Sequence, residues 1–359
     1  MAITAAMVKE LREMTGAGMM DCKKALTETN GDMDAAVDVL KKSGAAKMEK
    51  KASRIAAEGI ARVAAKDTVA VVVEVNSETD FVAKNETFQE FVQVVADNAL
   101  ASGLEGGANG EDIEAVLEMN GLKELLVEKT ATIGEKLSVR RFAKVTGDCV
   151  ASYIHAGGKI GVLVAGAGAS DDAAKDALSN VAMQIAAMNP QYVCRADISD
   201  EEIAKMREIT IDSALNDPAS LPKPIQNELY AKVEGEKLFS EEDLAILAEK
   251  KNDKYLYNFL SKEAIAKLAE LALAGKAGYV ENKIFAGLVE GRISKQVKEI
   301  SLLEQVYVKA EDGKQTVGQY LASVNKELSI AKFVRFEVGE GMEKKSEDFA
   351  AEVAAQMNA

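Results

Sequence analysis

The chain has 359 residues, of which 48% are hydrophobic and 28% charged, enough to bury the cores of about two or three domains. Its formal net charge of −14 argues against direct nucleic-acid binding, because a phosphate backbone needs a basic protein face. Charge appears at Lys9, too early for a signal peptide, and interrupts every longer apolar run, so we expect no membrane segment.

Catalytic and metal-binding side chains are scarce. Cys22, Cys149 and Cys194 are far apart, which predicts neither a disulfide framework nor a zinc site and favours a reducing cytoplasm. His155 is the single histidine, so no Ser/His/Asp set can be assigned. We expect a protein or small-molecule partner, and we assign no catalytic residue, metal site or cofactor.

The first 44 residues predict a three-helix domain. Thr4 is a cap for the first helix, and the second runs from about Met19 to Thr29. The third helix follows the cap Asp32 and is expected to end at Ser43-Gly44. The basic residues that follow predict a linker or a solvated helix leading to the core.

The core contains an internal repeat, because a shift of 90 residues aligns Val72-Val73 with Val162-Leu163. Each copy predicts a strand, a turn, a second strand and a helix; the strands lie near 58–65 and 69–76, then 148–155 and 159–166, and the helices near 85–101 and 173–188. Val139–Phe142 and the similar Phe333–Phe336 predict a third strand for each copy. Two α+β units follow, each with a three-stranded antiparallel sheet.

The third strand of copy two comes late, which predicts an insertion between Pro190 and about Lys326. This insertion reads as helical, with capping signals at Ser199 and Ser240, and suggests an antiparallel helical arm. After it, Ser346–Gln356 predicts one short amphipathic helix, which docks on its own core or on a partner. The predicted organisation is a three-helix domain at 1–44, a linker at 45–57, core unit one at 58–146, core unit two at 147–198 and 299–341, the arm at 199–298 and a C-terminal module at 342–359.

Thr79–Val82 is the best functional candidate. One interpretation is structural: Ser77 with Asp80 could form a capping box, with Phe81 as its staple. Copy two makes the same strand-to-helix passage without an aromatic, so the fold itself does not require Phe81. We therefore favour a role for Phe81 in a partner interface.

Other motifs carry weaker signals. The Gly166–Gly168 loop follows a strand and precedes a helix, but Asp171 replaces the third glycine of a dinucleotide loop, so a nucleotide-binding enzyme is only the alternative function. Met19 and Met20 predict core packing by default, or an adaptable binding surface. His155 reads as a surface turn residue.

A set of stretches across nearly the whole chain then resembles the bacterial elongation factor Ts family, the guanine-nucleotide exchange factors for elongation factor Tu. These stretches are Val8–Arg12, Thr15–Leu26, Val73–Asn76, Thr79–Lys84, Tyr153 with His155, Ile160–Val164, Val289–Arg292 and Val334–Gly341. The resemblance implies a ubiquitin-associated-like (UBA-like) N-terminal domain, a two-part core, a helical hairpin and a C-terminal helix.

The resemblance also implies site residues. Asp80 and Phe81, within Thr79–Val82, would enter the nucleotide domain of Tu and dislodge its magnesium. Arg12, Met19 and Met20 would contact the same domain, with His155 in support. Residues 216–282 are longer than the usual family hairpin, which leaves open the arm geometry, the oligomeric state and a homodimer through the arm.

Overall fold

The computed structural model describes residues 3–343 of the chain, which divides into two compact units. The sheet-containing unit comprises Met1–Asn189 with Val306–Ala359, and the helical unit comprises Pro190–Gln305. The predicted C-terminal helix at 346–356 lies outside the described residues.

The N-terminal part of the sheet-containing unit is a bundle of three helices, α1 (Ala5–Thr15), α2 (Met19–Glu28) and α3 (Met33–Lys51). Two predicted caps are confirmed: the Thr4 hydroxyl accepts from the Met7 N–H at 3.3 Å, and the Asp32 carboxylate accepts from the Ala35 N–H at 3.0 Å. The bundle closes on a small core made of Val8, Leu11, Cys22, Ala25, Leu26 and Ala36.

The first sheet is antiparallel and has four strands in the order β1-β2-β4-β3. The prediction of three strands for this copy is therefore wrong by one two-residue strand, which pairs Gly106 and Gly107 with Ala143 and Phe142. The elements in chain order are β1 (Glu58–Lys66), β2 (Val69–Ser77), α4 (Asp80–Ala83), α5 (Glu86–Ala101), β3 (Gly106–Gly107), α6 (Ile113–Leu117), α7 (Leu122–Ile133) and β4 (Ser138–Thr146).

The second sheet is antiparallel with three strands in the order β5-β6-β7, as the repeat predicts. It begins with β5 (Cys149–His155), β6 (Ile160–Ala167) and α8 (Asp172–Met188). In both copies the second hairpin strand lies in the middle and pairs with the late third strand.

In the sequence, the helical unit is inserted between α8 and the third strand of the second sheet. Its ends meet where the Gln191 and Tyr192 N–H groups donate to the Ile300 carbonyl at 2.9 and 3.1 Å. The predicted hairpin accounts for only the first and last helices of this unit. Further helices lie between them and share a core that includes Leu229, Tyr230 and Leu268. The helices are α9 (Asp200–Asn216), α10 (Lys223–Glu236), α11 (Glu241–Lys250), α12 (Lys262–Ala274), α13 (Lys276–Glu281) and α14 (Lys283–Ile300). After this unit come α15 (Val317–Val324) and β7 (Ser329–Glu337).

Strand β2 is buried on both faces, which explains its continuous valine run. Val71, Val73 and Val75 pack with Phe88 and Phe91 of α5 in one cluster. The alternate residues Ala70 and Val72 pack against Leu163 and Ala165 of β6, so the two sheets meet face to face. This packing anchors the C-terminal end of β2, where the candidate site begins.

The predicted end of the third helix at Ser43-Gly44 is wrong, because α3 continues to Lys51. Gly44 is a close-contact residue: a Cβ atom there would lie 3.2 Å from Val127 Cγ1 on α7. The glycine lets α3 approach α7, so residues 45–51 of the predicted linker are helical and the bundle contacts core unit one.

Candidate functional site

The Thr79–Val82 segment, called here the 79–82 turn, lies directly after β2. Thr79 is the N-cap of α4, and its hydroxyl accepts from the Val82 N–H at 3.4 Å. The predicted capping role of Ser77 is wrong, because Ser77 is still paired with Glu58 in the sheet and its hydroxyl donates to the Thr79 carbonyl at 3.0 Å. Asn85 caps the following helix, α5, and thereby limits α4 to a single turn.

The side chains of the 79–82 turn point in different directions. Val82 packs against the core of the first sheet, whereas Phe81 is 80% exposed. The staple interpretation of Phe81 is therefore wrong, and the expected exposure of this aromatic is confirmed. A phenylalanine held in water retains roughly 1.5–3 kcal/mol of burial free energy for use in a complex.

Asp80 is partly exposed beside Phe81 and forms an ion pair with Lys84, Oδ2 to Nζ, at 2.7 Å. The hydrogen bond from Lys84 lowers the pKa of Asp80, and the charges of Lys84 and Lys159 lower it further. The Lys84 ammonium also lies 6.0 Å from the centroid of the Phe81 ring. The turn therefore presents an ionised carboxylate and an aromatic ring side by side.

The backbone of the 79–82 turn is held by the α7–β4 corner. The Glu135 carboxylate accepts from the Glu78 N–H and the Thr79 N–H, both at 3.0 Å, and from the Thr79 hydroxyl at 2.7 Å. In return, Glu78 Oε1 accepts from the Lys136 N–H at 2.6 Å. Arg54 also donates to Glu78, at 3.2 Å.

His155 lies at the tip of the β5–β6 hairpin and is exposed. Its Nδ1 is 3.2 Å from the Tyr153 hydroxyl. The tip packs near the start of β1, because Gly158 lies against Ile60 and Lys159 forms an ion pair with Glu58, the strand partner of Ser77. The structure thus brings the His155 hairpin to the same end of the core as the 79–82 turn.

Arg12, Met19 and Met20 lie elsewhere, around the Gly16–Gly18 loop that joins α1 to α2. Met19 is 49% and Met20 75% exposed, so the default expectation of core packing is wrong for both. Arg12 is exposed as well. All three exposed side chains belong to the bundle whose α3 contacts α7.

The Gly166–Gly168 loop does not have the geometry of a dinucleotide site. Strand β6 runs between antiparallel neighbours rather than in a parallel βαβ unit. The Gly168 N–H donates to the Asp148 carboxylate at 2.8 Å, and Asp171 caps α8 through the Ala174 N–H at 2.8 Å. The N–H groups that a nucleotide phosphate would need as donors therefore already donate to carboxylates.

Within residues 3–343, no group of three or more His, Cys, Asp or Glu side chains is arranged to hold a metal ion. In the same part of the chain, no helix combines the length and apolar character needed to cross a membrane.

Sequence reasoning missed Glu135, Glu78 and Lys84. Lys84 stands four residues after Asp80, so the ion pair could have been inferred from helical spacing. Glu135 is different, because it lies 56 residues from Thr79 and only the folded chain brings the two together. Its one local signal is Gly134, which ends α7 with a positive φ of 87° and leaves the next residue beside β4.

Comparison with known proteins gives two consistent matches. The model of the family described as "Elongation factor TS" matches residues 78–340, a span that begins one residue before the 79–82 turn and includes β3 and β4 of the first sheet and the whole second sheet. The chain is also 43% identical over 366 aligned residues to a protein of Clostridioides difficile (strain 630) named Elongation factor Ts, with 99% of each chain covered.

Proposed function

The chain belongs to the elongation factor Ts family, and from that membership we propose that it is a guanine-nucleotide exchange factor for elongation factor Tu. It binds Tu in its GDP-bound form, promotes release of GDP, and so allows GTP to load. The exchange breaks no covalent bond, which agrees with a chain to which we assign no catalytic residue and no cofactor. We place this activity in the cytoplasm, which suits the free thiols of the chain.

The observation that best supports this proposal is the 79–82 turn. Phe81 is 80% exposed at the tip of a one-turn helix, beside the ionised Asp80. In our proposal Phe81 inserts into the nucleotide domain of Tu, and Asp80 disturbs the ligands of the bound magnesium. Magnesium requires near-ideal octahedral oxygen coordination, so a small displacement of its ligands is costly. Loss of the ion leaves the phosphate charge uncompensated, and GDP dissociates.

We assign partner contacts to two further surfaces. Arg12, Met19 and Met20 form one, because exposed methionines adapt well to a binding partner. His155, near the same end of the core as the turn, supports the contact made by the turn. Coupling is reciprocal: if the chain weakens GDP binding to Tu, GDP weakens binding of the chain by the same factor.

A homodimer through the 199–298 arm is a separate part of the proposal. Ile209 is 60% and Ile284 52% exposed on the helical unit, which leaves apolar surface for a second copy. Sedimentation equilibrium of the isolated chain tests this: a dimer mass that reverts to monomer in an Ile209→Lys variant supports it, and a monomer at all concentrations rejects it.

The central test measures the release of labelled GDP from cognate Tu with and without the chain. Acceleration at substoichiometric amounts of the chain is expected. Direct titration of GDP, GTP and NAD into the isolated chain separates this function from a nucleotide-binding enzyme, since an exchange factor binds none of them. Unchanged GDP release together with tight binding of any of these nucleotides would reject the proposal.

A further inference from the structure

We propose that Glu135 is a positioning residue for nucleotide exchange, which holds the 79–82 turn in the conformation that presents Asp80 and Phe81. The inference rests on the proposed function, because it assigns a support role to a residue that acts through the exchange element. Glu135 itself lies outside that turn, on the corner between α7 and β4.

The first support is the completeness of the contact. One carboxylate accepts from both consecutive backbone N–H groups that enter the turn, Glu78 and Thr79, and also from the Thr79 hydroxyl. Because the Thr79 hydroxyl donates its hydrogen bond to Glu135, a lone pair of its oxygen faces the Val82 N–H, and the hydroxyl caps α4. Glu135 therefore fixes the entry to the helix and the orientation of its cap at once.

The second support is that the α7–β4 corner and the residues that enter the 79–82 turn bind each other reciprocally. Glu78 accepts from the Lys136 N–H, so each of the two segments supplies a carboxylate to the backbone of the other. The Lys136 ammonium then donates to the Ala52 and Arg54 carbonyls at 2.7 and 2.9 Å. The α7–β4 corner is thus fastened to the segment that follows α3 and cannot easily move away from the turn.

The third support is that α4 is short, and that its packing on the core comes from Val82 and Ala83 at its C-terminal end. It has four residues, far below the length at which a helix is stable in water by itself. Phe81 points into solvent and gives the turn almost no burial in the free protein. Without Glu135, we expect the turn to sample many conformations, and binding would then carry the cost of ordering it.

The test uses Glu135→Ala and Glu135→Gln in the full chain, with Glu114→Ala as control because Glu114 is an exposed carboxylate on the same core unit. We expect Glu135→Ala to slow GDP release from Tu about 10-fold at saturating factor, within the loss of up to about 100-fold that a misplacement of about 1 Å can cause. Glutamine keeps an acceptor for the two N–H groups, so Glu135→Gln should recover most of the rate. Glu114→Ala should match the wild type.

Two readouts separate positioning from a general structural role. In the free chain, amide hydrogen exchange at Thr79 should become about 10-fold faster in Glu135→Ala, while far-UV circular dichroism stays unchanged. In the Phe81→Ala background, Glu135→Ala should slow GDP release clearly less than 10-fold, because one of the two groups that it positions is already gone.

Each contrary outcome overturns the proposal. Unchanged protection at Thr79 would show that Glu135 does not hold the turn. A full 10-fold defect in the Phe81→Ala background would show that it acts by another route. Equal defects in Glu135→Ala, Glu135→Gln and Glu114→Ala would assign the effect to net charge. Failure of the wild-type chain to accelerate GDP release would instead reject the proposed function, and Glu135 would have no exchange element to position.

Discussion

Phe81 and Ser77 show at the scale of single residues how far the sequence could be interpreted. The exposure of Phe81 could be predicted because the second copy of the repeat passes from strand to helix without an aromatic residue, so the fold does not require one at this position. The capping residue was not predictable, because Ser77 and Thr79 suit a cap equally well by type. Strand pairing decides between them: Ser77 remains in β2, and Thr79 is the first residue free to cap.

The first prediction concerns Phe81→Ala. Because the ring is 80% exposed, its removal should leave the melting temperature nearly unchanged, while catalysed GDP release falls at least about 10-fold through loss of roughly 1.5–3 kcal/mol of apolar burial. Stopped-flow release of labelled GDP measures the rate. Phe259→Ala, at a 48% exposed aromatic of the helical unit, is the matched control and should exchange normally. A large drop in melting temperature with normal exchange would restore the structural interpretation of Phe81.

The second prediction concerns the charge of Asp80. The Lys84 hydrogen bond lowers the pKa of Asp80, so the stabilisation from this pair is present above the ordinary pKa of an aspartate and is lost as pH falls through the lowered value. Lys84→Met should raise the pKa of Asp80, measured by NMR titration of the carboxyl carbon. Lys159→Met should raise it less, since Lys159 acts only through its charge. An identical Asp80 titration in Lys84→Met and the wild type would contradict this account.

At the scale of elements, local signals predicted most helices and strands, whereas long-range contacts caused the errors. The caps Thr4, Asp32 and Ser199 mark helix starts as predicted, because capping depends on neighbours three residues away. Strand β3 was missed because two glycines carry no strand signal. It exists where Gly106, at a φ of 66°, approaches the Phe142 carbonyl too closely for any Cβ.

The end predicted for α3 at Gly44 is the second error at the scale of elements, and this residue leads to the third prediction. The residue stands inside α3 at the contact with α7, so Gly44→Leu should overpack this contact and lower the free energy of unfolding by about 1–3 kcal/mol. Ala46→Leu adds bulk to an exposed position of the same helix and should leave stability almost unchanged. Thermal unfolding of both variants measures the difference. Equal melting temperatures would show that the α3–α7 contact is not close-packed in solution.

At the scale of the whole molecule, one buried carboxylate links the first sheet to the second within the sheet-containing unit. Glu74 on β2 has no exposed side-chain surface and accepts from Arg140 at 2.9 Å and from Arg141 at 2.6 Å, both on β4. The same carboxylate accepts from the Gly339 N–H at 2.9 Å, just after β7 of the second sheet. The stretches Val73–Asn76 and Val334–Gly341, far apart in sequence, therefore meet in one network, a pairing that no local pattern could reveal.

The last prediction tests this network. Glu74→Gln should lower the free energy of unfolding of the sheet-containing unit by up to about 3–5 kcal/mol, because Arg141, with 6% of its side chain exposed, loses its buried counter-charge and keeps only the partly exposed Glu340 at 3.2 Å. Urea unfolding measures the loss, and Glu13→Gln, in an exposed pair with Lys9, should change stability by only about 0–1 kcal/mol.

The double variant Glu74→Gln with Arg141→Met then identifies the cause of that loss. Removing both charges leaves Arg140, whose side chain is 24% exposed, without its carboxylate but removes the more deeply buried ion. The double variant should therefore be more stable than Glu74→Gln alone, even though it loses the stacking of Arg141 on Phe336 at 4.2 Å. If the losses of stability measured for Glu74→Gln alone and for Arg141→Met alone simply add in the double variant, the unpaired charge is not the source of the penalty, and the packing of Glu74 itself must hold the two sheets together.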